Sequence, residues 1–204
     1  MSTQTTPLSS LFDPAALPVS LASLARDLRE NDRLVLVLRG IPGAGKTTLT
    51  KWLRAYAHAV RPADRFDTFS ADQFFTTPDG SYKFDPSKLA DAHAACVRRF
   101  VHRAGLLTNG VVVVDNTATT NEEAASYMAV GHAFNWKTRL VTVEADTRAA
   151  ARRNVHGVPD LAVGGMASRL AEAQGRVPPF WPTLSVPAAD MDRLAAALAV
   201  RGVL

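Results

Sequence analysis

Residues 40–48 read Gly40, Ile41, Pro42, Gly43, Ala44, Gly45, Lys46, Thr47 and Thr48, a match to G-x-x-x-x-G-K-[ST]. Small residues let backbone N–H groups close around phosphate oxygens, and the positive end of the following helix faces them. In that pattern Lys46 reaches the β- and γ-phosphates of a nucleoside triphosphate, and the Thr47 hydroxyl ligates Mg²⁺. Two carboxylates complete a phosphoryl-transfer set. Asp115 follows four valines and can hold Mg²⁺ through water or hydrogen-bond Thr47; capping the next turn is the plainer alternative. Asp72 is the candidate general base, because an acceptor hydroxyl must be oriented and lose its proton as the γ-phosphoryl arrives. Its alternative is a loop carboxylate capping a turn.

Other side chains carry weaker signals. Arg148, Arg152 and Arg153 share a short segment, and Arg152 and Arg153 cannot share a helix face. One directed inward would close on the phosphates, whereas a solvated basic helix needs none inward. Asn116 follows Asp115, where many motor ATPases place the Glu that polarises water, which argues against a hydrolysis-driven machine. The absence of N-K-x-D removes support for guanine recognition. His93 reads as a buried structural histidine, and His156, in a loop, is more open to a role. Five histidines without a spaced acidic cluster give no zinc or iron site. Phe74, Phe75, Tyr82 and Phe84 crowd the segment after Asp72, where they either stack on a base or anchor the loop.

These residues require strands that end beside one another. Arg33–Arg39 reads as an apolar strand feeding the phosphate loop, and the helix after it runs to about Ala59. Phe66–Ser70 is the second strand, with Asp72 just past its end. Asp85-Pro86 starts a helix running to about Ala104, with Leu89, His93, Cys96 and Phe100 along one face. Val111–Asp115 is a strand buried on both faces. Thr120 and Glu123 match a capping box opening a helix to about Phe134. Lys137–Ala145 reads as a fourth strand, Asp146 to about Asn154 as the arginine-bearing helix, and a further helix carries Leu161, Met166 and Leu170. Pro178–Pro182 is an extended link, Thr183–Val186 a last strand and Ala188–Arg201 a closing helix. A helix over 18–31 aligns Leu17, Leu21, Leu24 and Leu28, and residues 1–16 read as a loose arm. Alternating strands and helices predict an α/β three-layer sandwich over 17–204, a single domain with a mostly parallel sheet of about five strands.

Composition narrows the class. The 204 residues carry 47% hydrophobic and 21% charged side chains, an ordinary globular balance. The lone Cys96 excludes an internal disulfide framework, so a reducing, cytoplasmic compartment is expected. No apolar run reaches membrane-spanning length, and neither a basic n-region nor an h-region marks a signal peptide. A net charge of +4 suits an anionic partner such as nucleic acid.

The motifs also occur as a series: Arg39–Thr48, Ser70-Ala71-Asp72-Gln73-Phe74-Phe75, Asp79–Asp85, Ala92-His93, Val113–Thr117 and Arg153–Pro159. Over residues 33–170 this series resembles the polynucleotide-kinase-like group of P-loop kinases. Within that group it is similar to the subgroup of NEDD4-binding-protein-like ATPases and phage DNA-modification kinases. The resemblance implies that Lys46 and Thr47 bind ATP and Mg²⁺, that Asp72 activates the acceptor, that Asp115 belongs to the metal or acceptor network, and that Arg153 acts from a lid. One departure matters. End-phosphorylating relatives place an Arg three residues after the base to grip an acceptor phosphate, and here that residue is Phe75. The chain also leaves no room for the phosphatase or ligase domain that end-repair enzymes often carry. The phage relatives phosphorylate the hydroxymethyl of 5-hydroxymethyluracil in DNA, in host cytoplasm, and a stacking aromatic at Phe75 is compatible with that acceptor. A polynucleotide 5′-hydroxyl, a small metabolite of the zeta-toxin or gluconate-kinase kind, and a nucleotide-binding interaction module with little turnover are the competing readings.

Overall fold

The computed structural model describes residues 13–154 and 157–199; His156 and most of the N-terminal arm lie outside the described residues. Five strands form one sheet: β1 (Arg33–Arg39), β2 (Phe66–Phe69), β3 (Gly110–Asp115), β4 (Lys137–Val143) and β5 (Thr183–Val186). Their order is β2-β3-β1-β4-β5, and every pairing is parallel. Among the described residues, seven α-helices connect and cover them: α1 (Val19–Glu30), α2 (Lys46–Val60), α3 (Leu89–Leu106), α4 (Asn121–Ala133), α5 (Thr147–Arg153), α6 (Asp160–Gln174) and α7 (Ala188–Ala199). The sandwich expected from the alternation of strands and helices is the one observed.

The alternation along β1 explains how one strand serves two layers. Successive strand residues point to opposite faces. Leu34, Leu36 and Leu38 pack with α1, α2 and α7 residues such as Leu24, Trp52 and Leu194, while Val35 and Val37 pack with Phe100 of α3 and Met128 of α4. In β3, Val111 and Val113 join the first layer and Val112 and Val114 the second. Phe100 meets Phe69 and Tyr127 edge-on, with centroids 6.0 and 5.2 Å away. Truncating such a fully buried ring costs about 3–5 kcal/mol.

Some side chains differ from expectation. On α3 the buried row is Ala92, Cys96, Phe100 and Ala104; Leu89 is exposed and His93 only half-buried. The helix proper begins at Leu89, after a 3-10 turn at Pro86–Lys88, so its first residue overhangs the sheet instead of packing on it. Leu161 is likewise exposed in the first turn of α6, where Val163 turns inward in its place. Residues 178–182 form a turn, closed by the Trp181 N–H on the Pro178 carbonyl at 3.0 Å, and are not an extended link. Among the described residues, no helix is long and apolar enough to cross a membrane.

Candidate active site

The sheet order decides what meets. β3 separates β2 from β1, so the carboxyl ends of all three lie side by side, carrying Asp72, Asp115 and the phosphate loop respectively. In open α/β sheets ligands bind outside those ends.

The loop's shape depends on glycine. Gly43 and Gly45 have φ of 78° and 101°, backbone that other residues resist. A Cβ on Gly43 would run into the Ala150 carbonyl of α5, so glycine here also lets α5 press directly on the loop. Gly45 caps α2 without a side-chain bond, leaving the first helical N–H groups facing outward. A Cβ on Gly45 would lie 3.1 Å from Met191 Cε, which places α7 on the loop's other flank.

Lys46 opens α2. Its Nζ donates to the carbonyl oxygens of Gly40 at 2.9 Å and Ile41 at 3.1 Å, so the ammonium folds back over the loop. Burial holds it below the usual lysine range, against the attraction of Asp115 and Asp72. Asp115 ends β3, level with Leu38 of β1. Its Oδ2 accepts from Thr47 Oγ1 at 3.2 Å and Thr50 Oγ1 at 3.3 Å. Burial pushes this carboxyl up, opposed by Lys46 and the two hydroxyls. Thr50 is a site residue that the motif does not name. It lies three positions after Thr47 and therefore on the same helix face. The paired hydroxyl and carboxylate oxygens of Thr47 and Asp115 are the hard donors that Mg²⁺ takes, with water and phosphate supplying the remainder.

Asp72 sits in a 3-10 turn, Ala71–Phe74, directly after β2. Three contacts fix that turn. Ser70 Oγ accepts from the Asp72 N–H at 3.1 Å, Arg99 Nη2 donates to the Ser70 carbonyl at 3.1 Å, and Asn116 Oδ1 accepts from the Ala71 N–H at 2.8 Å. Asn116 is buried, and its Nδ2 donates to Tyr127 Oη at 3.2 Å. The residue after Asp115 thus ties the end of β3 to the turn that carries Asp72. Tyr82 adds a fourth contact, its hydroxyl donating to Asp72 Oδ1 at 3.1 Å. Burial, reinforced by the Asp72 charge and this hydrogen bond, pushes the Tyr82 phenol up to about 12. Neither the Asn116 contact to Ala71 nor the Tyr82 contact to Asp72 was legible, because each depends on how loops return to the strand ends.

The arginines of α5 are all exposed, and the residue that α5 buries is Ala150. Neither Arg152 nor Arg153 points inward; a seven-residue helix seated by Ala150 turns both toward solvent. Arg153 Nη1 pairs with Asp192 Oδ1 of α7 at 3.1 Å, both side chains largely open to solvent. For Phe75 the structure decides between the two readings left open. It is buried, packing with Ala71 and Ala92, so it anchors its loop and offers no face to a base. Arg39, the last residue of β1, is fully buried; its Nη1 donates to Asn121 Oδ1 at 3.0 Å, while Nε and Nη2 have no hydrogen-bond partner among the described residues.

Residues 35–157 match the AAA domain family. The chain belongs to that family. It is similar to human NEDD4-binding protein 2, with 33% identity over 132 residues that cover 61% of this chain and 7% of that protein. It is also similar to a protein of Autographa californica nuclear polyhedrosis virus named as a bifunctional polynucleotide kinase/RNA ligase, with 29% identity over 120 residues that cover 57% of this chain and 17% of the relative. The chain therefore spans a small part of the curated relatives it matches. Among solved structures, a gluconokinase from Sinorhizobium meliloti 1021 shares the fold, with a TM-score of 0.50, 18% identity, and coverage of 85% of this chain and 95% of that one. The fold of this family member is that of a P-loop kinase.

Proposed function

We propose that the chain is an ATP- and Mg²⁺-dependent phosphotransferase that acts on a hydroxyl of nucleic acid. The observation that carries this reading is the meeting of Lys46, Asp115 and Asp72 at three adjacent strand ends, with Lys46 electrostatically coupled to both carboxylates. A donor loop and an acceptor-side carboxylate on one sheet edge are the two halves of a phosphoryl-transfer site.

In this reading the Gly40–Thr48 backbone cradles the β- and γ-phosphates. Lys46 leaves the Gly40 and Ile41 carbonyls for phosphate oxygens, and Thr47 with Asp115 would hold Mg²⁺, which neutralises phosphate charge when bound. Asp72 orients the acceptor hydroxyl and takes its proton. The acceptor oxygen bonds to the γ-phosphorus, the bond from that phosphorus to the β–γ bridging oxygen breaks, and ADP leaves. Arg153 is the lid residue of this scheme. Reaching the phosphates requires it to exchange Asp192 for them, a small cost because an exposed ion pair contributes about 0–1 kcal/mol.

Two features support nucleic acid as acceptor: the similarity to a protein named as a polynucleotide kinase, and the net charge of +4. The identity of residue 75 supports a base-borne hydroxyl, with the hydroxymethyl of 5-hydroxymethyluracil in DNA as first choice and a 5′-hydroxyl as second. A buried phenylalanine supplies no guanidinium to grip an end phosphate. Such a reaction belongs in a cytoplasm, where ATP and DNA meet. The test is incubation with γ-labelled ATP and, in parallel, hydroxymethyluracil DNA, unmodified 5′-hydroxyl oligonucleotides, and a panel of sugars and sugar acids. Label within the modified strand is expected. Label on ends alone overturns the base-directed choice, and label on a small molecule alone overturns the nucleic-acid reading.

A further inference from the structure

Residues 75–84 fold into a small hairpin beside Asp72. Thr76 and Tyr82 form an antiparallel bridge, the Lys83 N–H donates to the Phe75 carbonyl at 2.9 Å, and the Thr77 N–H donates to the Ser81 carbonyl at 2.9 Å. Gly80 takes the turn with φ 83°, and Asp79 is engaged by the Thr77 and Ser81 hydroxyls. Phe75 secures the hairpin from below. Tyr82 and Phe84 lie over it, meeting the Phe75 ring edge-on with centroids 6.3 and 5.0 Å away, yet stay 38% and 52% exposed. Their planes are within 10° of parallel, with centroids 6.5 Å apart, so both present one stacking direction. The Tyr82 hydroxyl is bonded to Asp72, which fixes this surface at one side chain's length from the proposed base.

We propose that Tyr82 and Phe84 form the acceptor-side stacking surface, receiving a nucleobase at or next to the hydroxyl that Asp72 activates. This rests on the nucleic-acid reading above and names the part of the molecule that recognises the acceptor. The surroundings fit a base on a charged strand and not a bare apolar ligand. Lys83 projects from the hairpin between the two rings in sequence and is exposed, and Arg99 reaches the Ser70 carbonyl at the start of the Asp72 turn. The hairpin's carboxylates are held ionised by local contacts, Asp79 by Thr77 and Ser81 and Asp85 by Ser87, with Lys88 as counter-charge to Asp85, so a strand's phosphates would follow the Lys83 and Arg99 side. Tyr82 therefore has two roles, a stacking face and a positioning contact to Asp72, which separate substitutions can divide.

The variants are Phe84→Ala, Phe84→Trp and Tyr82→Phe, read by two measurements. One is quenching of 2-aminopurine fluorescence in a single-stranded oligonucleotide, which reports base stacking. The other is steady-state transfer to an acceptor oligonucleotide, with and without an abasic site at the position next to the acceptor. Loss of one stacked base weakens binding by roughly tenfold to a hundredfold. Phe84→Ala is expected to raise the acceptor KM by about that factor and to abolish quenching. Phe84→Trp restores both. The abasic acceptor raises the wild-type KM but adds nothing in Phe84→Ala, as expected of two changes that remove one contact. Tyr82→Phe keeps the quenching and lowers kcat more than it raises KM. ATP affinity and thermal midpoint, measured in each variant, show that the fold and the phosphate loop are intact. Unchanged quenching and KM in Phe84→Ala, with transfer to nucleic acid proceeding, overturn the stacking surface while the kinase reading stands. No transfer to any nucleic acid overturns that reading and the acceptor-side assignment with it, whatever the quenching shows.

Discussion

At the level of single residues, two carboxylates divide the chemistry: Asp115 accepts from Thr47 and Thr50 on the donor side, and Asp72 accepts from Tyr82 on the acceptor side. Lys46 and Thr47 are named by a motif because a phosphate loop is one continuous stretch of backbone. Asp72 and Asp115 were readable from their places at strand ends. Their surroundings were not: Thr50 reaches Asp115, Tyr82 reaches Asp72, and Asn116 holds the Ala71 N–H of the turn that carries Asp72. Phe75, open to either stacking or anchoring from sequence, is an anchor, since composition cannot say which of four clustered aromatics turns inward. The Tyr82 contact has a measurable signature. The unfolded chain releases a tyrosine proton near its ordinary value of 10.0, whereas the folded chain holds this one to about 12. The unfolded state is thus favoured as pH rises through that window; the stability Tyr82 contributes is complete below its lower edge and lost at its upper edge. Titration of phenolate absorbance should show a late tyrosine in the wild type that is missing in Tyr82→Phe. A wild-type titration that exceeds the Tyr82→Phe one by a tyrosine titrating at about 10 would show that the contact is not made in solution.

At the level of elements, most of the fold was legible because strands buried on both faces read as continuous apolar runs and helix starts carry their caps. Thr120 and Glu123 make the expected capping box at the head of α4. What was lost were local orientations, such as Leu89 at an exposed helix start and the turn at 178–182, both set by what the neighbouring element leaves room for. The same logic governs the phosphate loop. Gly43 needs its left-handed backbone and its missing Cβ for α5 to seat on the loop. Gly43→Ala is expected to cost about 2 kcal/mol from backbone strain alone, and to weaken ATP binding by at least about tenfold because α5 must lift away. Thermal unfolding and titration with a fluorescent ATP analogue measure the two effects. A variant with wild-type affinity would mean that the α5 contact plays no part in shaping the loop.

At the level of the whole molecule, the sheet order β2-β3-β1 brings donor and acceptor elements to one edge, and no reading of local pattern gives that order. The basic balance of +4 is a property of the entire chain and makes a prediction at the same scale. If Lys83 and Arg99 each meet a phosphate of a single strand, the acceptor KM should rise roughly sevenfold between about 50 and about 200 mM salt, from a slope of about 0.7 per contact. A small uncharged acceptor would show no such rise. The central claim, that this phosphate loop donates to a hydroxyl activated by Asp72, is tested most directly by Asp72→Asn, with ATP affinity and phosphoryl transfer to hydroxymethyluracil DNA measured on the same preparation. The account predicts wild-type ATP affinity with transfer reduced by about a hundredfold or more. Transfer at the wild-type rate in Asp72→Asn would contradict it.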